Sequence, residues 1–167
     1  MSHRTYISIG ANLQDPIRNV QRAIGMLTEI GTVVKQSSLY RTKPWGVENQ
    51  PDYINAVILL ETALEPHVLL AALQAIEKQL GRTPAARWAP RIIDLDILSY
   101  DPAIHSTEST MSEPQLEIPH PRMLERAFVL VPLAEIDPSF EPLKDALSPA
   151  DLATVRLLAS GNSLEDA

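Results

Sequence analysis

The chain has 167 residues, 45% apolar and 21% charged, an ordinary globular composition long enough for one domain with its own core. Its 21 acidic and 14 basic residues leave a formal net charge of −7, a field that repels nucleic acid and anionic membrane surfaces. The absence of cysteine excludes disulfides, thiolate metal sites and a cysteine nucleophile, and no apolar run approaches the roughly 18 residues of a membrane span.

Residues 4–10, "RTYISIG", alternate Thr5, Ile7 and Ile9 with Tyr6 and Ser8, the period of a strand. Asp15 as N-cap and Pro16 at the first helical position then open a helix with Ile17, Val20, Ile24 and Leu27 on one stripe, tolerating Gly25. Residues 32–40, "TVVKQSSLY", and 52–62, "DYINAVILLET", predict two more strands around the turn-rich "RTKPWGVENQP". Pro66 begins a second helix whose apolar face carries Leu69, Leu70, Leu73, Ile76 and Leu80, with Gly81 just past its end. A loop rich in arginine and proline leads to a further strand over 92–99. The order βαββαβ predicts an α+β fold, a ferredoxin-like sandwich with helices on one face of an antiparallel sheet.

Beyond that unit, 101–117 is polar and irregular, and a short helix is expected to begin near Pro121. Ser148 is placed to cap a terminal helix in "SPADLATVRLLAS", so a C-terminal helical extension is expected over about residues 140–167. No repeat, low-complexity block or Gly/Ser linker divides the chain, which predicts a single domain over residues 1–167. The start, "MSHRTYISIGANL", has no apolar leader, and a cytoplasmic monomer with no membrane or nucleic-acid partner is the expectation.

Within "RWAPRIIDLDIL" (87–98), Asp94 and Asp96 are two apart on a strand and point the same way, while Ile93, Leu95 and Ile97 point to the core. At about 6.6 Å apart along the backbone the two carboxylates repel by roughly 2–3 kcal/mol at an effective dielectric near 20. Aspartate is also depleted in strands, so a plain solvated face is an uneconomical reading. Two carboxylates on one rigid strand suit Mg²⁺, which prefers one or two such ligands together with substrate phosphates and water.

Five of the ten arginines, Arg82, Arg87, Arg91, Arg122 and Arg126, lie between residues 82 and 126. In an acidic chain that clustering around a carboxylate pair fits a polyphosphate bound through guanidinium forks. The six glycines form no phosphate-binding G-x-x-x-x-G-K-[ST] loop, and neither a G-x-S-x-G elbow nor an H-E-x-x-H is present. Of eight aromatic residues, Trp45, Tyr53, Trp88 and Phe128 lie in or beside these segments, as a stacking site for a flat heterocycle would need. Asn55 shares a strand face with Tyr53 and can pair with the polar edge of such a ligand, and His120 in "IPHPRM" can donate a hydrogen bond or a proton to phosphate.

The blocks "YISIGANL" (6–13), "SSLYRTKPWG" (37–46), "QPDYINAV" (50–57), "LLAALQAIEKQLGR" (69–82), "RWAPRIIDLDIL" (87–98) and "IPHPRMLERAFVLVPLAEI" (118–136) together resemble the 6-hydroxymethyl-7,8-dihydropterin pyrophosphokinases of folate synthesis, over about residues 5–137. The resemblance implies transfer of the pyrophosphoryl group of ATP to the pterin hydroxymethyl, releasing AMP. It implies catalytic roles for Arg82, Arg91, Asp94, Asp96 and His120, with two Mg²⁺ ions on Asp94 and Asp96. It implies a pterin pocket of Thr42, Pro44, Trp45, Tyr53, Asn55 and Phe128. Nucleotide contacts are implied at Gln74, Glu77, Arg82, Trp88, Arg91, Ile97, His120 and Arg126. This chain departs from many members at Thr83-Pro84, Trp45 and Gln115, and residues after about 140 carry no family signal.

Two other readings share the frame. A ferredoxin-like sensing module would bind a small molecule without Mg²⁺ and leave it unchanged, and a different Mg²⁺-dependent phosphotransferase would use the same carboxylates on another acceptor.

Overall fold

The computed structural model describes residues 2–43, 51–81, 92–101, 111–113, 116–118 and 126–159. The chain runs β1 (His3–Ala11), α1 (Pro16–Leu27), β2 (Thr32–Gln36), β3 (Leu39–Thr42), β4 (Tyr53–Thr62), α2 (Pro66–Gln79) and β5 (Asp94–Tyr100). There follow β6 (Met111–Glu113), β7 (Leu116–Ile118), α3 (Ala127–Ile136), a 3-10 turn (Pro138–Phe140), α4 (Glu141–Asp145), α5 (Pro149–Ala153) and β8 (Val155–Ala159). Among the described residues the main sheet has the order β5-β1-β4-β3-β8, with β2 also paired to β4, and its ladders are antiparallel.

Alternation divides the sheet into two apolar faces. Ile7, Ile9, Ile54, Ala56, Ile58, Leu60, Leu95 and Ile97 face α1 and α2, where Val20, Ile24, Leu27, Leu69, Leu73 and Ile76 complete the larger core. The helix starts follow local chemistry: Asp15 accepts from the Arg18 N–H ahead of Pro16, and Gly81, at φ +101°, takes the left-handed conformation past the end of α2. Val57, Leu59 and Leu98 point the other way, against Val129, Leu130, Leu133 and Ala134 of α3. Helices therefore cover both faces of the sheet, where the βαββαβ pattern predicts one. The second face is itself apolar over that stretch and has to be covered.

The strand expected over 32–40 is broken at Ser37 and Ser38. Ser37 joins the β4 ladder with its hydroxyl, which accepts from the Val57 N–H at 2.9 Å, while its own N–H donates to the Val57 carbonyl at 2.9 Å. Ser38 turns away from the ladder, donating N–H and Oγ to the Glu135 carboxylate of α3 at 2.9 and 2.7 Å. Tyr40 donates its hydroxyl to the same carboxylate at 2.6 Å. Removing an acceptor that serves three donors destabilises by about 3 kcal/mol. Glu135→Ala is therefore expected to lose about that much in urea unfolding, against under about 1 kcal/mol for Leu157→Ala, whose side chain is 64% exposed.

The C-terminal segment differs from its expectation. Ser148 does cap a helix, accepting from the Asp151 N–H at 3.1 Å, but that helix ends after Ala153. Residues 155–159 instead form β8, paired with β3 through Thr42↔Val155, Arg41↔Arg156 and Tyr40↔Leu157. The edge of β3 left open by β4 offers a ladder of backbone partners, and that outweighs the helical pattern of "ATVRLLAS". The β6–β7 hairpin within the stretch read as irregular has strands of three residues, too short for a period-2 signal. Helix α3 is described from Ala127, and the start expected near Pro121 lies outside the described residues.

Burial and a hydrogen bond to a carboxylate, Asp137 for Tyr6 and Glu135 for Tyr40, push both phenols well above the usual value of 10.0. Tyr100 is pushed up to about 12, by burial and then by the charges of Asp101 and Glu65. A raised folded value means that stability from these groups is intact below pH 10.0 and lost as pH rises beyond it. Urea midpoints recorded from about pH 7 to about pH 12 should fall above about pH 10, and less steeply in Tyr40→Phe.

Candidate active site

The expected carboxylate pair sits on the face of the sheet that α3 shares. Ile93, Leu95 and Ile97 are at most 5% exposed in the larger core, so Asp94 and Asp96 project to the opposite side, both half-buried. The register with β1 places Asp94 beside Gly10 and Asp96 beside Ser8. On the other side of β1, Gly10 is the cross-strand neighbour of Asn55. One row therefore reads Asp94, Gly10, Asn55 across three strands, all on the same face. Asn55 and Asp94 are two strand spacings apart, about 9.6 Å.

The middle of that row is kept flat. A Cβ at Gly10 would lie 3.0 Å from Asn55 Oδ1 and 3.9 Å from the Tyr53 ring. Asn55, only 3% exposed, donates Nδ2 to Thr42 Oγ1 at 2.7 Å. That bond assigns the amide nitrogen to the Thr42 side and leaves Oδ1 facing the space above Gly10. Asn12, 1% exposed, donates to the Pro51 carbonyl at 3.2 Å and so ties the turn after β1 to the chain just ahead of Tyr53.

Phe128 lies at the start of α3, partly buried against the smaller core, with the Arg126 guanidinium 5.4 Å from its ring centroid. On the far side of β5 stands α2. Ile97 faces α2 from the core, Gln74 is exposed on it, and Glu77 is buried with Oε2 accepting from the Leu95 N–H at 2.9 Å. A ligand touching the aspartates as well as Gln74 has to pass around β5, the last strand of the main sheet among the described residues.

The structure thus brings together Thr42, Tyr53, Asn55, Asp94 and Asp96 at one end of the sheet, with Gln74, Glu77 and Ile97 behind β5. Pro44, Trp45, Arg82, Trp88, Arg91 and His120 lie outside the described residues. Asp94 and Asp96 offer oxygen donors alone, and among the described residues no cluster of three or more His, Cys, Asp or Glu could hold a metal ion. Two hard oxygen donors suit Mg²⁺, which keeps the rest of its shell for water and phosphate, and do not suit a structural transition-metal site.

Residues 6–138 match the 7,8-dihydro-6-hydroxymethylpterin-pyrophosphokinase (HPPK) family. The chain belongs to this family. It is 44% identical to the 2-amino-4-hydroxy-6-hydroxymethyldihydropteridine pyrophosphokinase of Bacillus subtilis, over 81% of this chain and 79% of that one. The enzyme of the same name from Methylorubrum extorquens is 40% identical over 89% of this chain and 94% of its own. The chain is thus an enzyme, a pterin pyrophosphokinase of folate biosynthesis.

Two crystal structures of Plasmodium falciparum HPPK-DHPS share its fold. The wild type with pterin and p-hydroxybenzoate matches at a TM-score of 0.66 and 14% identity, and a variant with SDX-DHP at 0.68 and 15%. The match covers 87% of this chain but only 42% and 45% of those longer ones.

Sequence reasoning missed Gly10, Asn12 and the hydroxyl of Thr42. The signal for Gly10 was present: a glycine inside a strand pattern marks close approach by another group. The other two depend on neighbours 39 and 13 residues away, which no local pattern contains.

Proposed function

We propose that this pyrophosphokinase holds its pterin over Gly10, with the ring edge on Asn55 and the hydroxymethyl group at Asp94 and Asp96. The observation that carries this is the row Asp94–Gly10–Asn55 on one face of the sheet. A bicyclic ring with a one-carbon arm has the reach to span it. Asn55 Oδ1 accepts from the N–H groups of the pterin edge, Thr42 holds that amide in orientation, and Tyr53 and Phe128 supply apolar surface for the ring faces.

The hydroxymethyl oxygen attacks the β-phosphorus of ATP in line with the bond to the α-phosphate. That P–O bond breaks, AMP leaves with the electron pair, and the hydroxyl proton passes to water. Bound at Asp94 and Asp96, two Mg²⁺ ions would neutralise the triphosphate and the developing charge. The chain's contribution is position and charge. β5 keeps the two carboxylates co-facial, and Asn55 fixes the distance from ring to phosphate. The resemblance assigns Arg82, Arg91, Arg126 and His120 to the phosphates, Trp88 to the same loop, and Pro44 and Trp45 to the pterin pocket. It assigns the nucleotide to Gln74, Glu77 and Ile97, reached around the edge of β5.

The βαββαβ part is taken as ferredoxin-like, which the strand order β5-β1-β4-β3 supports. A cytoplasmic monomer is proposed as part of this reading. Incubation with ATP, Mg²⁺ and 6-hydroxymethyl-7,8-dihydropterin is expected to yield AMP in step with the pterin diphosphate. Release of ADP would defeat the assignment.

A further inference from the structure

Leu95, the residue between the two aspartates, is 4% exposed and lies on the strand that ends the main sheet among the described residues. In an antiparallel ladder the N–H and C=O of one residue point to the same side, and successive residues alternate. The Leu95 N–H goes to the Glu77 carboxylate, so the backbone groups of Leu95 point away from β1, and its neighbours Asp94 and Asp96 turn theirs toward Gly10 and Ser8. Glu77 therefore stands where a further strand would otherwise continue the sheet. It satisfies a buried amide for which no β-ladder partner exists on that side among the described residues.

Glu77 is 7% exposed and lies in the last turn of α2, beside the core residue Ile76. The described chain leaves that helix at Gly81, and a Cβ placed there would sit 3.4 Å from Ile92 Cδ1, just ahead of β5. The carboxylate thus joins the end of α2 to β5 midway between the side chains that would hold the cation. Among the described residues β5 has a ladder on one side alone, so its outer side is held by the bond from Glu77.

We propose that Glu77 is a positioning residue of the metal and phosphate site. By holding the Leu95 amide it keeps Asp94 and Asp96 rigid and co-facial, and it does this through the backbone rather than by touching the nucleotide. The inference rests on the proposed function and replaces the nucleotide contact that the family resemblance implies for Glu77.

The full-length protein is tested with Glu77→Met, which keeps the volume and removes the acceptor, and Glu77→Gln, which keeps one acceptor without the charge. Mn²⁺ binding is read by electron paramagnetic resonance with a nonhydrolysable ATP analogue present, and analogue binding is read separately in EDTA. Outer-shell partners of metal ligands change affinity by about 10–100-fold. Glu77→Met is expected to weaken Mn²⁺ binding at least tenfold and to leave metal-free analogue binding within about twofold, with Gln recovering Mn²⁺ affinity to within about threefold of wild type.

Amide hydrogen exchange at Leu95 should accelerate in the Met variant and not in the Gln variant. Unchanged Mn²⁺ affinity in the Met variant, an equal loss of analogue affinity in EDTA, or a Gln variant as weak as Met would overturn the proposal. If the Met variant does not fold, the Gln variant decides: Mn²⁺ affinity within about threefold supports it, and a loss of about tenfold or more overturns it. Failure of the functional reading shows itself differently, as wild-type protein that releases ADP or binds no Mn²⁺ with the analogue.

Discussion

Asp96→Ala is expected to lower turnover by at least about 10³-fold, a loss of about 4 kcal/mol in transition-state stabilisation, while the protein stays folded. Asp96 and Asp94 project from a strand whose other face is core, so the substitution removes a carboxylate and no core packing. It also relieves the repulsion between the two carboxylates. The thermal midpoint should consequently stay within about 3 °C of wild type. Circular dichroism melting and initial-rate assays of AMP release make the comparison on one preparation. A fall in stability matching the fall in activity would mean that Asp96 serves the fold and not the reaction.

Gly10→Ala acts at the same place by a different route. Its Cβ would lie 3.0 Å from Asn55 Oδ1, in the space where the proposed pterin lies between Asn55 and the aspartates. The new methyl lifts the ring and turns the amide, so KM for the pterin should rise by about 10²-fold, with a comparable fall in kcat, because a displacement near 1 Å is that costly to in-line geometry. Binding of a nonhydrolysable ATP analogue in calorimetry should be unchanged, since the substitution leaves Gln74 and Ile97, the proposed nucleotide contacts, untouched. A variant that loses both substrates equally would show that Gly10 is needed for strand pairing alone.

Much of this was legible before folding, for identifiable reasons. Asp15-Pro16 and Gly81 announce helix ends because caps are local chemistry, and the aspartate pair announces a site because two adjacent unfavourable choices in an apolar strand need a purpose. β8 was misread because Val155, Leu157 and Leu158 suit a helix as well as a strand, and the deciding factor, an open edge on β3, belongs to another part of the chain. The helix on the second face went unforeseen for a like reason: Val57, Leu59 and Leu98 belong to strands far apart in sequence and form a patch only when aligned.

Residue type and spacing by themselves determined, as far as β5, where strand and helix alternate, the two faces of β1, β4 and β5, the Asp94–Asp96 pair and, through the assembled motifs, the family. Those properties depend on groups within a few residues of one another or on motifs quoted whole. Which residues share the site was decided only by the antiparallel register. It sets Gly10 between Asp94 and Asn55, turns the Asn55 amide onto Thr42, and gives Leu95 to Glu77. Each of those contacts joins separate elements, and a shift of one residue in pairing would turn the slipped strand's side chains to the opposite face of the sheet and exchange its inward and outward backbone groups.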